Sequence, residues 1–183
     1  LGRTQEVLNF ISRLQEEGVV PEVPVYASGL GRAVYELYNK FTDYMLPEAT
    51  LRPLDKFKRI GNVWKPGVVK KLISEPAIIV ATSGMMLENT PSALIAEEMV
   101  QGENHGIFFV GYLDSETLGY RLTEADSGDE LMFGLDRPTV PVTLENVQRF
   151  SFSAHAPRTA LQGVIEHIKP KNVVFVHGDG DAI

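Results

Sequence analysis

Five consecutive apolar residues, Ala77-Ile-Ile-Val-Ala81, run straight into a glycine turn, Thr82-Ser-Gly-Met-Met86, and this pairing constrains the fold more than any other stretch. A strand that is apolar at every position has no wet face, so it is expected at the centre of a parallel sheet covered on both sides. The helix predicted next starts at Thr90 or Pro91, where proline suits a first turn, and runs through Glu98 to Val100. The same order of strand, glycine turn and helix occurs earlier. Val23-Pro-Val-Tyr-Ala27 leads through Ser28-Gly-Leu-Gly31 into a helix presenting Val34, Leu37, Tyr38 and Phe41. Before it, Thr4 is placed to cap an amphipathic helix carrying Val7, Leu8, Ile11 and Leu14, with Gly18 as its stop.

Alternation of this kind predicts an α/β fold, a mainly parallel sheet flanked by helices. Val68–Ile73 reads as a short helix, Gly106-Ile-Phe-Phe-Val-Gly-Tyr112 as a further buried strand, and Leu118–Thr123 as a helix or turn. Beyond Asp126-Ser-Gly-Asp129 the character changes to consecutive strands, Glu130–Gly134, Val140–Leu144 and Val147–Ser153. A helix over Thr159–Ile168, with Leu161, Val164, Ile165 and Ile168 on one face, and a strand over Asn172–Val176 follow. The change of character lies near 138–146 and divides the chain into residues 1–140 and 141–183.

Composition narrows the chemistry. The chain has no cysteine, so any metal must be held by imidazole and carboxylate, and the expected compartment is a reducing one, the cytoplasm. A net charge of −7 argues against broad attraction to nucleic acid, and no apolar run is long enough to span a membrane. One basic cluster stands out: Lys56, Lys58, Arg59, Lys65, Lys70 and Lys71, in and beside an irregular stretch, 46–66, that holds the single tryptophan, Trp64. It is either a solvated face or a surface for a nucleic-acid strand, and Trp64 either anchors the loop to the core or stacks on a base. Gly29-x-Gly31 is only a fragment of a dinucleotide fingerprint.

Two places remain as candidate sites. The Ser83-Gly84 turn follows a strand's carboxyl end, where α/β sheets bind ligands, and either offers N–H groups to an anion or is glycine-rich for steric reasons. Met85 and Met86 beside it read as packing. Of four histidines, His105 sits in a polar turn expected to face water and His167 at a helix end. That leaves His155 and His177, each ending an apolar run and each either a hydrogen-bonded structural histidine or a site residue. Two imidazoles fall short of the three or more ligands that a hydrolytic metal centre takes.

Ser151-Phe-Ser-Ala-His155, the helix after it, Lys169-Pro170, the valine-rich run and Val176-His-Gly178 resemble motifs B and C of the β-CASP branch of the metallo-β-lactamase superfamily. Upstream, Leu1-Gly-Arg-x-Gln-Glu6, Pro24-Val-Tyr-Ala-Ser28, Ala81-Thr-Ser-Gly-Met-Met86, and Gly111-Tyr112 with Thr117-Leu118 follow in the family's order, so the resemblance covers essentially the whole chain. It implies that residues 1–140 are a β-CASP domain closing over an active site, and that 141–183 begin the return into the metallo-β-lactamase fold. It implies a zinc-dependent nuclease acting on single-stranded RNA, with His177 a zinc ligand, His155 the general acid, and Ser83 and Gly84 contacting phosphate.

The resemblance further implies a longer parent with two zinc ions, because the family's HxHxDH half would precede Leu1. The chain alone is then expected to be inactive and to hold zinc weakly or not at all. Its partners would be that missing half, with self-association into a homodimer where core faces stay uncovered, and no membrane. Pro157 departs from the family, which has an acidic residue two positions after the motif B histidine. The alternative is a non-catalytic module that binds RNA or a protein partner; an unrelated α/β hydrolase-like domain is the remaining reading.

Overall fold

The computed structural model describes residues 2–45, 51–82, 84–150, 152 and 156–174. The chain divides into two compact units, Leu1–Phe152 and Ser153–Ile183. In the first, β1 (Val25–Ala27), β2 (Phe57–Arg59) and β3 (Ile78–Val80) form a parallel sheet in the order β2-β1-β3, with Val25 opposite both Phe57 and Ile78. The fully apolar strand is therefore not central, as expected, but at an edge of this sheet; β1 is the central strand. Its apolarity has another cause. Ile78 and Val80 pack toward a core of Leu8, Val25, Ala27, Tyr35 and Phe57, whereas Ile79 packs toward a second core of Val63, Leu94, Ile95 and Val69, the last on the short helix α3 (Val68–Leu72). Each face of β3 meets a different core, so both must be apolar.

The first of those cores lies under α1 (Arg3–Glu16) and α2 (Gly29–Lys40). Thr4 does not cap α1: the cap lies two residues earlier, at Gly2. Thr4 instead points its methyl at Gly31, where an added Cβ would lie 3.0 Å from it and 3.3 Å from the Thr82 methyl. Glycine at 31 thus permits the close approach of α1 to α2, and buried Gln5 secures it by donating from Nε2 to the Gly31 carbonyl at 3.1 Å. Gly18, at φ +71, ends the helix as predicted.

On α2 the buried face differs from the predicted one. Leu37 and Phe41 are more than half exposed, and Gly31 and Tyr35 are buried. Tyr35 lies edge-on to Phe57, and its hydroxyl reaches Asn9 Oδ1 at 2.6 Å and the Arg52 carbonyl at 2.9 Å. A phenol can be fully buried when its polar tip finds such partners. Burial pushes its pKa up to about 12, against a smaller opposing effect of the hydrogen bond at Arg52.

The third core joins α4 (Pro91–Met99), α5 (Leu118–Glu124) and the segments between and after them: Ala93, Ala96, Phe109, Leu118, Leu122 and Phe133 belong to it. α4 starts as its sequence predicts, with Pro91 in the first turn and the Thr90 side chain accepting from the Ala93 N–H. It is buried on both sides because Leu94 and Ile95 belong to the second core. Glu97, only 6% exposed, meets Arg137 at 3.0 Å to Nε and 2.5 Å to Nη2, a bidentate pair.

The predicted antiparallel pair is present as β5 (Glu130–Met132) and β6 (Thr139–Pro141). β4 (Ile107–Phe109) pairs in parallel with β7 (Val147–Arg149) in a sheet of its own. The run 106–112 was expected to be buried throughout, yet Phe108 is 51% exposed because nothing among the described residues covers that face. His105 is half-buried with its ring against Gly102, not fully in water.

In the second unit α6 (Arg158–Ile168) lies between its caps Pro157 and Lys169, close to the predicted span. Leu161, Val164 and Ile168 on it are exposed, as is His167. Asn172–Val174 are not in a strand, contrary to expectation, and Phe175 and Val176 lie outside the described residues. No helix among the described residues is long and apolar enough to cross a membrane.

Candidate functional site

The sheet order creates a topological switch point, the place where such sheets form a crevice. From β1 the chain crosses to β2 on one side, and β3 then lies on the other side of β1, so the strand order reverses between β1 and β3. Ligands in open parallel sheets bind beyond the carboxyl ends of the strands at such a reversal. Ser28 stands there after β1 and Thr82 after β3, and their hydroxyls lie 2.7 Å apart. The Thr82 N–H also donates to Ser28 Oγ at 3.1 Å, and the Ser28 N–H to the Val80 carbonyl. Ser28 is the N-cap residue of α2 but its side chain makes no cap bond, because the hydroxyl is engaged across the crevice.

Gly84 sits just beyond Thr82 and is exposed; a Cβ there would meet nothing within 4 Å. Crowding therefore does not account for glycine at this position. The loop is held from its far side: the Gly119 N–H at the start of α5 donates to the Met85 carbonyl at 3.2 Å, and Met86 is buried at φ +54. A left-handed methionine persists only where packing overdetermines it, and Met86 belongs to the third core. The two methionines are packing residues, as their composition suggested. Ser83, His155 and His177 lie outside the described residues.

The basic cluster is partly paired with acids. Lys56 reaches Glu16 at 2.6 Å, Arg59 approaches Glu36 and Lys70 approaches Glu98, each at 3.9 Å. Arg52 joins Glu16 at 2.9 Å, and the hydrogen bond from Lys56, foremost, holds the Glu16 carboxyl below its usual range. Acids distant in sequence thus pair with three of its six cations, Lys56, Arg59 and Lys70. Trp64 is 63% exposed and does not anchor the loop to the core.

Among the described residues, no group of three or more His, Asp or Glu side chains is placed to hold a metal ion. The described residues therefore do not fit a zinc centre.

The sequence reading assigned no role to Arg3. Its Nε is buried without a hydrogen-bond partner, as is that of Arg32. Nη1 lies over Gly111, 2.7 Å from where a Cβ would be. The signal was present in sequence as two matched motifs, Leu1-Gly-Arg3 and Gly111-Tyr112, whose contact only the fold reveals.

Residues 4–122 match the family model of the Beta-Casp domain, and residues 139–183 match that of the Zn-dependent metallo-hydrolase RNA specificity domain. The chain is 26% identical to transcription termination factor FttA of Methanocaldococcus jannaschii, over 98% of this chain and 30% of that protein. It is 26% identical to an RNase J-like protein of the same organism, over 98% of this chain and 41% of that protein. Cleavage and polyadenylation specificity factor subunit 3 of Dictyostelium discoideum is 29% identical over 99% of this chain and 23% of its own length. The chain thus spans less than half the length of these relatives. With more than half of its residues in the Beta-Casp match, and the RNA specificity model following it in order, the chain belongs to the Beta-Casp family of the metallo-β-lactamase superfamily.

Proposed function

We propose that the chain is the substrate-facing part of a metal-dependent phosphodiesterase that cleaves single-stranded RNA. In this reading residues 1–140 form the Beta-Casp domain and 141–183 begin the return into the metallo-β-lactamase fold. The observation that carries it is the succession of the two family matches, the second described by its RNA specificity. The crevice between β1 and β3 supports it physically. The Ser28–Thr82 link holds together the two turns that border the crevice, and open Gly84 leaves its backbone approachable by a phosphate oxygen.

Ser83 and Gly84 then contact the phosphate, Ser83 through its hydroxyl and Gly84 through its N–H. His155 delivers a proton to the leaving oxygen, a role that an imidazole titrating near neutrality can fill. His177 is a zinc ligand. Zinc enters only through the second family description, and the described residues do not assemble its donor set, so no step is routed through it. The reading places the parent in the cytoplasm and makes a homodimer one of its assemblies.

The test uses the full-length parent that this reading implies. His155→Ala should slow cleavage of a labelled single-stranded RNA while metal content by elemental analysis stays unchanged, and His177→Ala should lower metal content. Equal metal loss in both variants would overturn the two roles. The 183-residue chain itself should release no product from the same RNA with zinc added; turnover would show that its ligand set is complete.

A non-catalytic module is the second reading. It is favoured by Pro157, which takes the place of the acidic residue expected after His155 and serves as the N-cap residue of α6. Absence of cleavage by the unaltered parent together with intact RNA binding would select it.

A further inference from the structure

We infer that Met86 is a positioning residue for the Ser83-Gly84 turn: its buried side chain, carried on a left-handed backbone, fixes where the Gly84 N–H meets a phosphate and so sets the affinity for RNA. The inference rests on that turn contacting phosphate, as proposed above, and identifies what holds the contact in place.

The turn is short and pinned at both ends. On one side Thr82 is tied to Ser28, hydroxyl to hydroxyl at 2.7 Å and N–H to Oγ at 3.1 Å. On the other, the Met85 carbonyl accepts from the Gly119 N–H at 3.2 Å, and Met86 sits 5% exposed in the core of Phe109, Leu113, Leu118 and Leu122. A Cβ at Gly119 would lie 2.9 Å from the Met85 carbonyl oxygen, so backbone meets backbone there with no side chain between. Only residues 83 and 84 separate Thr82 from Met85, and a residue spans at most about 3.5 Å. The place of Gly84 therefore follows from where the two anchors stand. Gly84 has no packing of its own to hold it, since it is exposed and a Cβ on it would meet nothing within 4 Å.

Met86 is the unusual anchor. Three non-glycine residues have positive φ among the described residues, Met86 at +54, Asn89 at +59 and Lys169 at +50, and of these only Met86 is buried. Asparagine tolerates the left-handed region, whereas methionine has no polar group to compensate it locally. The core contacts of the Met86 side chain must hold the backbone there. If residue 86 relaxed to an extended conformation, its side chain would leave the core and the chain would enter the turn from another direction, carrying Gly84 with it. A turn kept in one arrangement incurs little ordering cost when a phosphate arrives. One that is competent for only part of the time loses apparent affinity by that fraction.

The experiment is steady-state cleavage of a labelled single-stranded RNA by the full-length parent, comparing Met86→Leu with Met86→Ile. The two introduced side chains are isomers and bury the same atoms, but isoleucine is branched at Cβ and fits positive φ far worse than leucine. Met86→Leu should keep KM within about two-fold, and Met86→Ile should raise it about five- to ten-fold with kcat little changed. A variant that merely unfolds lowers kcat with the folded fraction and leaves KM alone, so equal KM in the two variants overturns the inference. Met86→Gly accepts positive φ freely but lacks the side chain that enforces it. It should raise KM by a similar amount, and an unchanged KM there overturns the inference on its own.

Ser83→Ala separates this inference from the reading beneath it. Because Ser83 and Met86 act on one contact, Met86→Ile should raise KM less in the Ser83→Ala background than in the unaltered parent, and effects that multiply in full overturn the inference. Ser83→Ala without effect on KM overturns the phosphate contact itself, and this inference with it. A Ser83→Ala that raises KM beside an inert Met86→Ile overturns the inference alone.

Discussion

The two parallel sheets of the first unit obey different rules. In β2-β1-β3 both faces are covered: Ile78 and Val80 look into one core and Ile79 into another. In β4–β7, Ile107, Phe109 and Val147 face a core, whereas Phe108 and Phe150 face outward. Both sheets are built from short apolar strands, and the burial of a given residue depends on what crosses above it. A run such as Ile107-Phe-Phe109 therefore carries two kinds of information, a packing residue and an exposed one of identical chemistry, that composition cannot separate.

Neighbouring residues give the sharpest way to break this comparison. Phe109→Ala, at 5% exposure, should lower stability by about 3–5 kcal/mol through lost burial and a residual cavity, read from urea unfolding. Ile79→Ala should cost about 2 kcal/mol, the lower end for a truncation at a half-buried position, and would show that the second face of the closed sheet is also structural. Tyr35→Phe should cost about 1 kcal/mol, the net worth of the hydroxyl's hydrogen bond. Smallest of all, Phe108→Ala should stay within about 0.5 kcal/mol of the unaltered chain. A loss at Phe108 equal to that at Phe109 would mean the outer face is covered and the two sheets are alike.

Tyr35 also gives the closed sheet a pH signature. Its folded pKa, pushed up to about 12 chiefly by burial, exceeds the ordinary value of 10.0, so the folded chain keeps the proton longer than the unfolded one. Its contribution is complete below the ordinary value and is lost as pH rises toward the folded one. The urea midpoint should fall across this alkaline range, and Tyr35→Phe should make the fall shallower.

Much of the fold was legible from the sequence because strands, turns and helices declare themselves locally. Thr90-Pro91 marked the start of α4, and Gly18 the end of α1, through backbone chemistry that needs no tertiary partner. β2 was hidden because two of its three residues, Lys58 and Arg59, are charged, and only Phe57 faces the core. Tyr35 was hidden because the α2 face that packs is made of a glycine and a tyrosine, not of the aliphatic residues that set the period. Strand partners were hidden too: β4 finds β7 some forty residues later, and no local signal names that partner. At the site, Gly84 was placed correctly beyond a strand end, but that β1 and β3 are neighbours, and hence that the crevice exists, depends on the sheet order.

The link between Ser28 and Thr82 also has a consequence in time. Thr90 and Thr117 spend their hydroxyls capping α4 and α5, whereas Ser28 directs its own sideways and leaves the first turn of α2 without a side-chain acceptor. Amide hydrogen exchange should therefore register α2 as opening at its leading end before the two capped helices, α4 and α5, with the Gly29 and Leu30 amides trading deuterium well before those of Ala93 and Tyr120.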